Sequence, residues 1–186
     1  MAAAVGSFGA GLVRMVALLT ANSPKYAAVA QRCTDVAQSA QTLCDELLKL
    51  VDDDAAAFDR VSAAYRLPKS TDEEKSARSA RIQSTLAEAI DPPLRVIAAA
   101  LQISELAAEL VDVGNQNALS DVGCAALCAQ AAAHGAALNV EINAAALKDR
   151  ALARTHTQHV HAQLAQVSLL GEVILGKLTR DSVASP

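Results

Sequence analysis

Aromatic side chains are nearly missing from this 186-residue sequence, which has two Phe, two Tyr and no Trp. A core without bulky anchors must come from close helix contact between small residues, and alanine does dominate the 52% hydrophobic fraction. No alternating apolar-polar run is long enough for a strand. No basic stripe with interleaved aromatics is present, and the formal net charge of -4 excludes a general nucleic-acid binder. Neither a Gly-rich phosphate loop nor a Ser-His-Asp arrangement is visible.

Long membrane-type runs are also lacking. The longest uncharged stretch, Val122 to Val140, is mostly alanine and carries Gln130, His134 and Asn139, a poor composition for hydrocarbon. The apolar N-terminal stretch has Arg14 in its middle and no basic start, unlike a signal peptide. A cytoplasmic protein with no membrane partner is expected. Cys33, Cys44, Cys124 and Cys128 lack the spacing of a disulfide framework and read as small core residues. His156, His159 and His161 read as surface histidines, so no metal site is expected.

Helical signals fill the chain. A first helix is expected over Ala3 to Ala21. Ser23 then caps a long helix with Pro24 at its first position and Val36, Leu43, Leu47 and Leu50 as its inner stripe. Phe58, Val61 and Tyr65 continue it to the stop at Leu67-Pro68-Lys69. "TDEE" at Thr71 to Glu74 forms a capping box opening a helix to about Ile90. Asp91-Pro92 opens the next, which ends at Gly114, read as a left-handed cap residue. Ser120 caps a helix to about Leu147, and a last one covers Arg154 to Leu178. Residues 1–180 form a single helical domain and 181–186 a frayed tail. With its small-residue faces, the chain should cover part of its apolar surface with a second copy.

Several polar groups exceed what this architecture needs. Asp52, Asp53 and Asp54 point about 100° apart on a helix, so at most two can face inward. An inward carboxylate among alanines could act as a general base or acid; a solvated triplet at a helix start is the plainer reading. Lys75, Arg78 and Arg81 recur every third residue as a solvated face, with Glu74 and Arg78 able to pair. Arg66 and Lys69 flank the Pro68 stop and suit an anionic ligand. "GNQNALSD", residues 114 to 121, supplies a helix stop and start but leaves one asparagine unexplained. Asn139 and Asn143 lie one turn apart on an apolar helix and need partners.

Taken together, "DDDAAAFDRVSAAYRLPKSTDEEKSARSARIQ" (residues 52 to 83), "GNQNALSD" and "ALNVEINAAAL" (residues 137 to 147) resemble the cyclodeaminase/cyclohydrolase family. The likeness runs from about Ala2 to Arg150 and leans toward the free-standing bacterial methenyltetrahydrofolate cyclohydrolases. It implies an all-α protein, a multi-helix bundle of long antiparallel helices, dimeric, with a tetrahydrofolate derivative as substrate and no cofactor. It also implies catalytic roles for Asp54, Asp121 and Lys69. Arg66, Gly114, Asn115, Asn117, Ser120, Asn139 and Asn143 become substrate-binding groups, all expected to meet in one hollow. The implied reaction is hydrolysis of 5,10-methenyltetrahydrofolate to 10-formyltetrahydrofolate. A cyclodeaminase releasing ammonia and a non-catalytic folate-binding helical protein are the alternatives.

One departure stands out. Family members carry "PGGG" before a small-residue helix, whereas this sequence starts at Met1-Ala2-Ala3-Ala4. A glycine-rich turn before a helix N-terminus would hold an anionic or pterin group. The expectation is a start upstream of Met1 or a copy with reduced activity.

Overall fold

Helices account for nearly all of the chain in the computed structural model, which describes residues 1–184 and the side chains as far as Thr179. They are α1 (Ala2–Ala21), α2 (Ala30–Tyr65), α3 (Asp72–Glu88), α4 (Asp91–Val113), α5 (Leu119–Ala146) and α6 (Arg150–Ala184). Short 3-10 turns cover Pro24–Val29 and Gln116–Ala118, and no strand occurs among the described residues. The all-α reading therefore holds.

α1 lies between α2 and α5, α5 lies between α1 and α6, and α4 packs beneath this row. α1 and α5 run antiparallel. A Cβ built on Gly6 would lie 3.4 Å from Ala132 Cβ, and one on Gly9 would lie 3.0 Å from Cys128 Cβ and 3.2 Å from the Ala125 carbonyl oxygen. Gly9 therefore lets the two most apolar helices approach closely: an alanine there would be in tighter than ordinary contact, and the facing turn of α5 would have to give by a few tenths of an ångström. Ala125, Ala126, Ala129, Ala132, Ala133 and Ala136 form the facing surface of α5, all buried. Larger side chains fill the centre below, with Leu47, Leu50, Ile97, Ile103, Leu110 and Val140 fully enclosed. Each enclosed Leu or Ile contributes about 1.5–3 kcal/mol relative to exposure.

α1 is long and apolar enough to cross a membrane by length and composition, yet 44% of it is buried in the bundle. The uncharged run Val122 to Val140 lies within α5 and is packed on α1, α4 and α6.

Local rules explain the helix boundaries unevenly. Thr71 and Glu74 form the expected capping box, with Glu74 N–H donating to Thr71 Oγ1 at 3.2 Å and Thr71 N–H to Glu74 Oε2 at 3.2 Å. Asp149, unremarked in the sequence, caps α6 by accepting from Ala151 and Leu152 N–H, both at 3.0 Å. That helix starts four residues earlier than expected and is described to Ala184. Residues 185–186, and the side chains from 180 onward, lie outside the described residues, so the expected tail at 181–186 falls mostly there.

Other expectations need correction. Ser23 makes no side-chain cap, and α2 begins at Ala30 because Tyr26 leaves the helical region (φ -110, ψ 21) to hold the loop before α5. Gly114 is extended (φ -73, ψ 169), not left-handed. Its need for glycine is steric: a Cβ would sit 2.6 Å from the Leu110 carbonyl oxygen. Ser120 lies inside the first turn of α5; the cap-like role falls to Asn115, whose Oδ1 accepts from Asn117 N–H at 3.1 Å. Cys124 is exposed, Cys44 and Cys128 are half-buried and only Cys33 is enclosed. Arg78 does not pair with Glu74. It donates to the Tyr65 carbonyl (2.9 Å) and lies over that ring, closing the C-terminus of α2.

Candidate functional site

A cavity of about 220 Å³ opens where the N-terminus of α1 meets the middle of α2, the start of α4 and the second half of α5. Its polar groups are Asp54 and Asn139; Met1, Val5, Leu50, Pro93 and Val96 supply much of the apolar wall. Met1 caps α1 without a side-chain bond, so the free N–H groups of the first turn bring positive potential to the same opening.

The aspartate triplet lies well inside α2, not at a helix start. Its three members separate as the helical turn demands. Asp52 is exposed, Asp53 approaches Arg95 Nη1 at 3.9 Å and Asp54 is half-buried in the cavity wall. Arg95 also donates from Nη2 to Glu46 Oε1 at 2.8 Å. The Glu46 hydrogen bond, with smaller contributions from Asp91 and Asp53, raises the arginine further above its ordinary value. Arg95 therefore ties α4 to α2 beside the cavity through Glu46, with Asp53 directed to the same side by the helical turn. Sequence reasoning passed over Arg95, because no motif joins it to an acid on a distant helix.

The two α5 asparagines separate in the same way. Asn139 is exposed at the cavity, its amide donating to the Gly135 carbonyl one turn back at 3.1 Å. Asn143, half-buried, donates to the Ala89 carbonyl at 3.2 Å and so fixes the end of α3 and the start of α4. It supports the wall and does not form it.

Within one chain the remaining residues do not join Asp54. Asn115 N–H donates to the buried Thr20 Oγ1 at 2.9 Å, and Gln116 N–H to Tyr26 Oη at 3.1 Å. Gly114, Asn115, Asn117, Ser120 and Asp121 thus sit at the C-terminal end of α1, while the cavity sits at its N-terminal end. The helix between Ala2 and Thr20 is about 27 Å long. Arg66 and Lys69 are exposed in the loop after α2, beyond a rise of about 16 Å from Asp54 to Tyr65. The single shared hollow expected from sequence is therefore not formed by one chain. Among the described residues no three His, Cys, Asp or Glu side chains group as metal ligands, and His161 pairs with Glu141 at 3.3 Å.

Comparison with known proteins extends this geometry. Residues 1–162 match the family model described as formiminotransferase-cyclodeaminase. The chain is 42% identical over 173 residues to a methenyltetrahydrofolate cyclohydrolase of Methylorubrum extorquens, covering 93% of this chain and 83% of that protein. It is 29% identical over 178 residues to the formimidoyltransferase-cyclodeaminase of Rattus norvegicus, 96% of this chain but 33% of the rat protein. In fold it is similar to the crystal structure of formiminotetrahydrofolate cyclodeaminase from Thermotoga maritima. That likeness has a TM-score of 0.86 at 24% identity, over 97% of this chain and 86% of that one.

Proposed function

The chain belongs to the formiminotransferase-cyclodeaminase family, and from that premise we propose that it is a methenyltetrahydrofolate cyclohydrolase. The proposed reaction converts 5,10-methenyltetrahydrofolate and water to 10-formyltetrahydrofolate. The similarity to the Methylorubrum cyclohydrolase, along nearly the whole of both chains, favours this over deamination. The observation that carries the site is the half-buried Asp54 carboxylate in the wall of a mostly apolar cavity.

The substrate holds its one carbon as an amidinium between two ring-side nitrogens. Asp54 accepts a proton from water as the water oxygen bonds to that carbon. In the neutral tetrahedral adduct the carbon–nitrogen bond to one nitrogen then breaks as that nitrogen takes the proton held on Asp54, while the adduct hydroxyl gives up its proton, by way of Asp54, to water. The carbon stays on the other nitrogen as a formyl group. The carboxylate also stabilises the cationic substrate before attack. Asn139 hydrogen-bonds the heterocycle, and Asp53, off the cavity wall, takes no part. In this reading the folate is the substrate, water is the only co-reactant, and the protein works in the cytoplasm as a homodimer.

Spectrophotometry with the purified chain tests it. Accelerated loss of the methenyl chromophore is expected, and Asp54→Asn should lower the rate by about 10²-fold or more. An unchanged rate in that variant would remove Asp54 from catalysis. Ammonia release from the formimino compound, without methenyl hydrolysis, would identify the cyclodeaminase instead. Turnover of neither compound would leave a binding protein.

A further inference from the structure

Of the four aromatic side chains, Tyr26 and Tyr65 lie beneath cations, Lys25 and Arg78. The two phenylalanines stay largely in solvent, Phe8 64% and Phe58 70% exposed. Phe58 follows Asp54 on α2 by four residues, one turn on and about 6 Å along the axis. The residues of α2 that line the cavity, Leu50, Val51 and Asp54, span about 100° of the helix, and Phe58 falls inside that arc. On α5 the lining arc runs from Ala131 to Ala136 through Asn139. Ile142, three residues past Asn139 and 68% exposed, falls inside it.

α1 separates these two helices, with Gly6 between Leu47 of α2 and Ala132 of α5. Past the first turn of α1 both run on, α2 to Tyr65 and α5 to Ala146. The gap between them is then open and about one helix wide, roughly 10 Å. The turn from α3 to α4, held by Asn143 through the Ala89 carbonyl, lies beneath it. A trough therefore leads out of the Asp54 cavity with one large apolar side chain on each wall. At about 220 Å³ the cavity itself is smaller than a usual ligand site of roughly 300–1,000 Å³, so a folate whose reacting carbon meets Asp54 extends beyond it. In that substrate the benzoyl ring is bonded directly to one of the two amidinium nitrogens. The ring therefore emerges within about one helical turn of the carboxylate, at the level of Phe58.

We propose that Phe58 and Ile142 hold the aminobenzoyl ring of the substrate, Phe58 stacked on one face and Ile142 against the other. This assignment rests on the function proposed above. Covering a flat ring on both sides accounts for a solvent-facing phenylalanine beside the site in a chain nearly free of aromatics. Neither side chain touches the reacting carbon. Both bind a part of the substrate that is the same before and during the reaction, so their contribution falls on binding and not on the chemical step.

Phe58→Ala should raise KM for methenyltetrahydrofolate about 10-fold and leave kcat within about twofold. Ile142→Ala should raise KM about threefold, and Phe58→Tyr, which keeps the ring face, should restore it to near the wild-type value. Both positions are exposed, so the urea midpoint should stay in place, as it would not for a structural residue. For binding apart from activity, the chain is labelled with 4-fluorophenylalanine. Its two phenylalanines give two fluorine signals, assigned with Phe8→Leu. Saturating 5-formyltetrahydrofolate, a stable reduced folate, should shift the Phe58 signal, and p-aminobenzoylglutamate alone should shift it in the same direction. An unmoved Phe58 signal, or a Phe58→Ala KM within about twofold of wild type, would overturn the proposal. Normal turnover with an unmoved signal would remove the ring site and leave the cyclohydrolase standing. A shifted signal in a chain that turns over no methenyl compound would remove the function and leave the ring site.

Discussion

The side-chain amide of Asn143 donates to the backbone carbonyl of Ala89 across 3.2 Å, joining the second half of α5 to the turn between α3 and α4. Ala89 is the last cap residue of α3, and Pro92 and Pro93 follow within the first turn of α4. The bond satisfies a carbonyl at a helix end that has no helical partner, and it sets the position of Pro93 in the cavity wall. Asn143→Ala should lower unfolding free energy by about 0.5–1.5 kcal/mol. The effect should appear in the urea midpoint and, through the displaced wall, more in KM than in kcat.

Thr20 bridges two parts of the chain. Its buried hydroxyl donates to the Val16 carbonyl (2.8 Å) and accepts from Asn115 N–H (2.9 Å). Thr20→Val keeps the shape but strands that N–H, at a cost of about 1–3 kcal/mol. Hydrogen exchange should quicken at Asn115 and its neighbours in the 114–121 loop, and an unaltered exchange pattern would count against the bridge.

Gly114→Ala tests whether steric approach, not backbone handedness, fixes this glycine. Because φ is -73, alanine meets no dihedral penalty. Its Cβ would lie 2.6 Å from the Leu110 carbonyl oxygen, forcing the last turn of α4 open. A loss of about 1–3 kcal/mol is expected in thermal or urea unfolding; a neutral substitution would show that the loop shifts freely.

Alkaline pH should weaken the fold through its thiols. Burial pushes up Cys33, with the neighbouring charge of Glu109 adding to it; burial likewise raises Cys44 and Cys128. The unfolded chain then gives up thiol protons first, from about pH 8.5, so it binds fewer protons than the native state and stability falls as pH rises. Below that range the contribution is fully present. Urea midpoints measured from pH 7.5 to 10 should decline, and Cys33→Ala should flatten the decline. A slope unchanged by that substitution would assign the effect elsewhere.

Much of this architecture was legible without coordinates. Helical periodicity, the Thr71–Glu74 box and the Pro92 start are local signals, since each depends on residues within a turn or two of one another. Val36, Leu43, Leu47 and Leu50 are buried as their spacing requires, for the same reason. Where the local rule was outvoted, a distant partner was responsible. Tyr26 leaves the helix to meet Gln116, and Gly114 is extended under Leu110 with Thr20 holding the next residue.

The sequence by itself determined that the chain is helical, that Val36, Leu43, Leu47 and Leu50 face inward along α2, and which polar side chains exceed what a bundle needs. These follow from a fixed rise and turn per residue. Tertiary structure alone decided that Asp53 goes to Arg95 while Asp54 goes to the cavity, that Asn143 braces and Asn139 lines, and that the 114–121 loop lies a helix length from Asp54. Those outcomes depend on which helices lie side by side and in what direction, and a helical repeat carries no information about its neighbour.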